Sequence, residues 1–254
     1  TVDKVIRREV KLTEGDPYNK YSVDYSKDSI RALNYFKEVE INQVRTDFPD
    51  KINLEVNVEE KNTGEASIGA GYSSTNAASI NFGLRENNFL GKGQKVKFDT
   101  SFSNTRNAYD ISITEPYFNN KPLSLTTNLY SNFTDPANVN YETEDLGFGL
   151  SSSFPLSTDR YIEIRYSLFT SKIKANSNAT AYENALAGTD TVSSVGYTLA
   201  FDKRNSRYKP SNGFNFEISQ DLAGLGGDSH YYKNSFEFNY YKRLSKRLIG
   251  AYKL

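Results

Sequence analysis

A single imidazole, His230, and no cysteine leave this chain of 254 residues poorly equipped for metal or covalent chemistry. Zinc centres draw on several histidine or thiolate ligands, and imidazole bases are the usual activators of nucleophiles, so neither kind of centre is expected. Carboxylate chemistry stays formally open. Asp202, Arg204 and Arg207 lie close enough in sequence to form a charge network facing a lumen or a turn, or simply to be a solvated turn. His230, followed by Tyr231 and Tyr232, reads as a loop residue. No nucleophile elbow, Walker loop or dinucleotide fingerprint occurs. No catalytic residue, cofactor or metal is therefore expected. With 31 basic against 31 acidic side chains the formal net charge is zero, which removes the electrostatic signature of a nucleic-acid binder.

The apolar fraction of 37% is below the roughly 45–50% typical of a soluble domain, while aromatics reach 14% with no tryptophan. Either the chain is partly disordered or it buries little interior. Its first residues, TVDKVIRREV, lack the apolar run of a signal sequence. It also lacks an initiating methionine and stops in mid-alternation at Tyr252-Lys253-Leu254, so it reads as a fragment.

Periodicity changes near Thr63 and Gly64. Before that point Val2, Val5, Ile6 and Val10 fall at helical spacing, and a second amphipathic stretch carries Val23, Ile30, Leu33 and Phe36 after the turn-like Gly15–Asn19. Two strands follow, with Val39, Ile41 and Val44, then Ile52, Leu54, Val56 and Val58, joined by a turn at Phe48–Lys51. After Gly64 the period is two throughout, and about eleven short strands are predicted, from Ile68–Tyr72 to Leu248–Tyr252.

Alternation alone suits a soluble β-sandwich or an outer-membrane barrel equally. Connection lengths favour the barrel: three long polar links, Thr134–Asp145, Thr170–Ser194 and Asp221–Ser235, alternate with compact ones such as Phe89–Lys95 and Phe154–Arg160, with Asp202–Asn212 the exception. Aromatics suggest two girdles. Phe89, Tyr117, Phe118, Phe154 and Tyr208 cluster by the short turns, and Tyr72, Tyr130, Phe133, Tyr141 and Phe169 lie toward the long loops.

Several stretches carry more than pattern. REVKLTEGDPYN followed by RALNYFKEVEI resembles the last POTRA domain of the BamA family of outer-membrane assembly factors, and EEKNTGEASIGAGYSS resembles that family's passage into its first barrel strand. ENNFLGKGQ, ITEPYF and FDKRNSRYKPSNG are similar to later family stretches, in the same order. The resemblance implies a mainly β chain: a small α+β POTRA domain over residues 1–62 with its first strand missing, then residues 63–254 as the N-terminal part of an antiparallel transmembrane β-barrel of about sixteen strands. It also implies a location in the bacterial outer membrane, with the POTRA domain in the periplasm.

In the resembled family a lateral seam lies at the first barrel strand, which here is Ala66, Ser67, Ile68, Gly69, Ala70, Gly71, Tyr72 and Ser73. Its glycines reduce side-chain packing, and an opened strand offers its backbone as a template for β-augmentation; small residues fitting a crowded wall would look the same. The POTRA strand with Glu38, Val39, Glu40 and Ile41 could pair with unfolded substrate, and Glu14, with Arg8 near it, would by resemblance contact an accessory lipoprotein. The expected function is folding and inserting outer-membrane proteins without chemical turnover. The expected partners are unfolded outer-membrane proteins, accessory assembly lipoproteins and outer-membrane lipid. The alternative is a polypeptide-secreting POTRA barrel of the two-partner secretion or translocation-and-assembly type. An outer-membrane lipase using His230 and a soluble β-sandwich binding module are more distant rivals.

Overall fold

A computed structural model describes residues 1–73, 77–246 and 248–254; Ser74, which closes one of the family-like stretches, and Arg247 lie outside it. The chain divides into two units, one of Thr1–Ala66 with Leu84–Val96 and one of Ser67–Gly83 with Lys97–Leu254.

In the first unit, α1 (Asp3–Arg7) is shorter than the apolar spacing predicts, and α2 (Lys20–Ala32) is capped by Asn19, whose side-chain oxygen accepts from the Tyr21 and Ser22 amides at 2.9 and 3.4 Å. Helix α2 stops before Phe36 because Asn34 adopts a left-handed φ of 62° and turns the chain. Phe36 therefore opens β1 (Phe36–Arg45) rather than extending the helix. Strand β1 pairs antiparallel with β2 (Ile52–Glu60), with Val39 opposite Val58 and Ile41 opposite Val56. Val5, Ile30, Tyr35, Phe36 and Val39 are buried together, and Ile6, Val10, Leu33 and Val58 pack against them. This is a dry core of ordinary kind: each fully buried aliphatic side chain contributes about 1.5–3 kcal/mol.

The second unit holds most of an eleven-stranded antiparallel meander: β3 (Gly64–Ser73), β4 (Ala77–Phe89), β5 (Gln94–Ser103), β6 (Arg106–Glu115), β7 (Ser124–Thr134), β8 (Tyr141–Ser157), β9 (Arg160–Ala175), β10 (Gly188–Asp202), β11 (Gly213–Gly227), β12 (Tyr231–Arg243) and β13 (Ile249–Lys253). The eleven segments read from alternation are all present. Each strand pairs only with its sequence neighbours, so β3 and β13 form the two edges.

Register turns alternation into two faces. One continuous row runs Ile113, Thr127, Leu150, Tyr166, Val195, Leu222, Tyr232, and a parallel one runs Ile111, Leu129, Phe148, Leu168. These rows stay open to the surroundings: Leu129 is 52% and Ile111 44% exposed. The opposite face is polar, and between β3 and β7 it forms a concavity of about 600 Å³ lined by Ser67, Asn81, Asp99, Asp110 and Asn132. The sheet thus has its apolar side outward and its hydrogen-bonding side inward, the arrangement of a barrel in lipid.

Two expectations need correcting. The long polar links are largely strand: β8 begins at Tyr141, β9 runs to Ala175, and β11 and β12 are separated only by residues 228–230. Polar residues continue the ladder there because backbone hydrogen bonds need no apolar side chain. The remaining link between β9 and β10 contains a short helix, α3 (Ala181–Leu186). Tyr130 and Phe169 also leave the proposed girdle, since both share a row with Gly147 on the polar side, where the Tyr130 ring occupies the space a Gly147 side chain would need.

Candidate strand-exchange edge

Every residue of β3 from Gly64 to Tyr72 is exposed. Ile68 at 81% and Tyr72 at 83% alternate with Ser67, Gly69 and Gly71, and beyond β3 no strand continues the ladder among the described residues. Among the described residues its outer N–H and C=O groups thus have no ladder partner. Ser73 belongs to the strand, but its side chain lies outside the described residues.

The glycines of this region do different things. A side chain at Gly69 would meet nothing within 4 Å, and its backbone is not left-handed, so neither crowding nor strain demands glycine there. What glycine adds at Gly69 is backbone freedom. Gly83 on β4 is the crowded one: an added Cβ would lie 2.8 Å from the Ser67 hydroxyl and 2.9 Å from an Asp99 oxygen. Sequence reasoning passed over Gly83, because only register shows that Ser67 and Asp99 converge on it.

The foot of β3 is fastened differently. Glu86 accepts from the Thr63 hydroxyl and, at 2.8 Å, from the Asn88 amide, while Asn87 reaches the Thr63 carbonyl at 3.4 Å. Asn88 in turn accepts from the Gly93 amide at 2.8 Å and closes the β4–β5 turn, where Leu90, Gly91 and Gly93 all have positive φ. The sequence signal for Glu86 and Asn88 is the run of side-chain acceptors beside two glycines. The start of the strand is thus tied to β4 through Thr63.

The candidate POTRA contacts are rearranged. Arg7, not Arg8, reaches Glu14, at 3.5 Å, and it also pairs with Asp3 at 2.9 Å. Arg8 is mostly buried, pairs with Glu9 at 3.5 Å and fills the space beside Gly93. Glu14 remains 96% exposed on its turn. There Asp16 accepts from the Thr13 amide and hydroxyl at 2.8 and 2.6 Å, which holds its carboxyl below the usual range. On β1, Glu38 and Glu40 are exposed, but Val39 is 1% exposed and Ile41 packs against the core. A chain docking on β1 would meet its backbone and its glutamates, not Val39.

Elsewhere in the sheet, Arg165 on β9 and Asp221 on β11 face each other across Gly196 of β10, with nitrogen–oxygen distances of 2.8 and 2.7 Å. An added Cβ at Gly196 would strike Asp221, so the glycine is what lets the pair close over the middle strand. Thr198 and Ser219 complete the network. Asp202 takes Arg204 in a two-point contact at 2.8 Å each and Arg207 at 3.3 Å, which makes the charge network read from sequence a turn-side one. The His230 ring lies where a side chain at Gly224 would have to go. Among the described residues no group of histidines and carboxylates is arranged to hold a metal, and no helix is long and apolar enough to cross a membrane.

A small α+β module followed by a meander with an apolar exterior defines an outer-membrane β-protein of the POTRA class. Comparison places it more narrowly. Residues 88–254 match the Omp85 superfamily domain, and residues 1–61 match the POTRA family described as a surface antigen variable number repeat. The chain belongs to the Omp85 superfamily and is a segment of BamA-family type. It is 30% identical over 239 residues to the outer membrane protein assembly factor BamA of Neorickettsia risticii, covering 93% of this chain and 32% of that protein. It is 27% identical to the mouse sorting and assembly machinery component 50 homolog, covering 67% of this chain and 36% of that one. The crystal structure of BamA from Haemophilus ducreyi lacking POTRA domains 1-3 superposes with a TM-score of 0.85 at 22% identity, over 100% of this chain and 52% of that one. CdiB from Acinetobacter baumannii shares the fold at a TM-score of 0.57 and 14% identity, over 99% of this chain and 49% of that one. The chain spans about a third of the length of the curated relatives it matches. It is part of a bacterial outer-membrane protein whose POTRA portion is periplasmic.

Proposed function

We propose that this chain is the substrate-engaging part of a machine that folds outer-membrane proteins and inserts them into the membrane. The observation that carries the reading is β3, the first strand of the meander: its foot is tied through Thr63 to Glu86 and Asn87, and above that tie a Cβ at Gly69 would meet nothing within 4 Å. An incoming strand would add to this edge by backbone pairing, and its apolar side chains would continue the outward rows directly into lipid. No chemical step is needed. The driving force is burial of the new strand's apolar face together with saturation of its hydrogen bonds.

The same reading supplies the partners: unfolded outer-membrane proteins at β3, membrane lipid around the apolar face, and an accessory lipoprotein at the exposed turn of Glu14, where Arg7 rather than Arg8 presents the neighbouring cation. The POTRA portion extends over residues 1–62 and the barrel portion over 63–254. A secretion pore of the same fold would instead pass its cargo through the lumen, and its first strand would not crosslink to the cargo.

The test places a photo-crosslinking residue at Gly69 or at Leu199 in the full-length protein during synthesis of an outer-membrane β-barrel. Adducts to a terminal strand of the barrel from Gly69 and none from Leu199 are expected. Equal yields, or adducts only from lumen positions such as Thr198, would overturn the reading.

A further inference from the structure

The zero net charge hides a separation between the two ends of the sheet. At the end where β10 stops and β11 starts, Lys203, Arg207, Lys209, Lys242, Arg243 and Lys246 gather on one loop and the neighbouring turn. All six are exposed. The opposite end carries Asp135, Glu142, Glu144, Asp145, Glu183 and Asp228. At the basic end Asp202 is taken up by Arg204 and Arg207, and Asp159 lies 3.6 Å from Lys203, but Lys209, Lys242 and Lys246 have no ion pair among the described residues. Lys172, Lys174 and Lys233 offset the acidic end only in part.

The basic loop is held in shape. Asn205 accepts from the Ser211 and Asn212 amides at 2.9 Å each, the Lys203 amide bonds to Phe214 O at 2.8 Å, and Arg243 ties the turn to the loop through Ser211 at 2.9 Å and Asn212 at 3.0 Å. At the tip stands Tyr208, 97% exposed, and on the turn stand Leu244 and Leu248, 62% and 57% exposed. The patch then runs into the outward apolar face. The rings of Phe214, Phe238 and Tyr252 follow one another at 6.1 and 6.4 Å, and Arg160 lies over Phe201 at 5.2 Å.

We infer that residues 203–212, 242–246 and 248 form a binding surface for the phosphates of anionic phospholipid headgroups at the periplasmic boundary of the membrane. In an antiparallel meander this end is the one at which β3 begins, directly after the periplasmic POTRA portion. Exposed cations in a fixed loop supply the phosphate ligands, and an aromatic tip with adjoining leucines supplies the interfacial anchor. That combination favours a lipid over a free anion, which would have no use for Tyr208, Leu244 and Leu248. The inference rests on the outer-membrane location and is independent of the strand-exchange reading.

The test measures phosphatidylglycerol retained by the full-length protein after extraction from vesicles of phosphatidylethanolamine with phosphatidylglycerol, by native mass spectrometry. Arg207→Gln with Lys209→Gln and Lys246→Gln is compared with Lys172→Gln plus Lys174→Gln at the other end, each checked for folding by heat-modifiable gel mobility. Lys246→Gln alone serves if the triple variant does not fold. Loss of most retained lipid in the basic-end variants alone supports the inference. Equal retention in all proteins overturns it, and so does displacement of the lipid by inorganic phosphate at matched ionic strength, which would mark a simple anion site.

Discussion

Helix α2 with β1 and the row through β6 to β9 are built from the same aliphatic and aromatic residues, yet they dispose of them in opposite ways. Ile30 and Val39 vanish into a core, at 0% and 1% exposure, while Leu129 and Ile111 are left about half open. The first region is stabilised by taking apolar surface out of water. The second has its hydrogen-bonding groups turned inward, around networks such as Arg165, Asp221 and Thr198, and leaves its apolar side for a solvent that is itself apolar. A low apolar fraction is therefore no sign of disorder. A barrel wall one strand thick needs only half its residues apolar.

The largest effect that would sharpen this contrast is at Ile30. Ile30→Ala should cost the POTRA portion about 2–5 kcal/mol, read as a lowered denaturation midpoint of that portion in the full-length protein. Next, Leu129→Arg should cost about 2–4 kcal/mol in lipid if the residue sits near the bilayer midplane, measured by refolding into vesicles. A negligible cost would place the Leu129 row against water and break the comparison. A smaller loss, about 1 kcal/mol, is expected for Asn19→Ala, because two amides of the first turn of α2 lose their acceptor. It should affect the POTRA portion alone.

The smallest effect is a local one with a defined pH sign. Glu183 in α3 accepts from the Thr180 amide at 2.7 Å and the Asn140 amide at 2.9 Å, and these backbone bonds hold its carboxyl at about 2, against an ordinary value of 4.5. A depressed carboxyl contributes its loop-to-loop tie above the unfolded value and loses it as pH falls through the folded one. Protection of the Asn140 and Thr180 amides from hydrogen exchange should thus persist above pH 4.5 and decline toward pH 2. In Glu183→Gln it should be weaker at every pH and nearly independent of pH.

Much of this architecture was legible in the residues because period-two alternation survives wherever a strand has one lipid face and one polar face. The strands at Ile162–Leu168 and Val195–Phe201 are of this kind, and β9 and β10 contain them. Where both faces are polar, as at the start of β8 or the end of β9, nothing distinguishes a strand from a loop, and the long links were overread. Phe36 was misplaced because its helical spacing was intact; Asn34 ends the helix through its own backbone, which spacing does not record. The first strand was found by resemblance. Its fastening was not, since Thr63 meets Glu86 and Asn87 only once the chain has folded back, and a balanced total charge concealed the basic and acidic ends altogether.

The central claim is that β3 is held at its foot and weakly along its length, unlike the interior strands. Residue-level hydrogen exchange of the full-length protein in lipid tests it directly. Amides of residues 66–72 are expected to exchange much faster than those of Val195–Ala200 on β10, with the Asn88 and Gly93 amides of the adjoining β4–β5 turn remaining protected. Protection along β3 equal to that of β10 would contradict the claim and leave no strand poised for exchange.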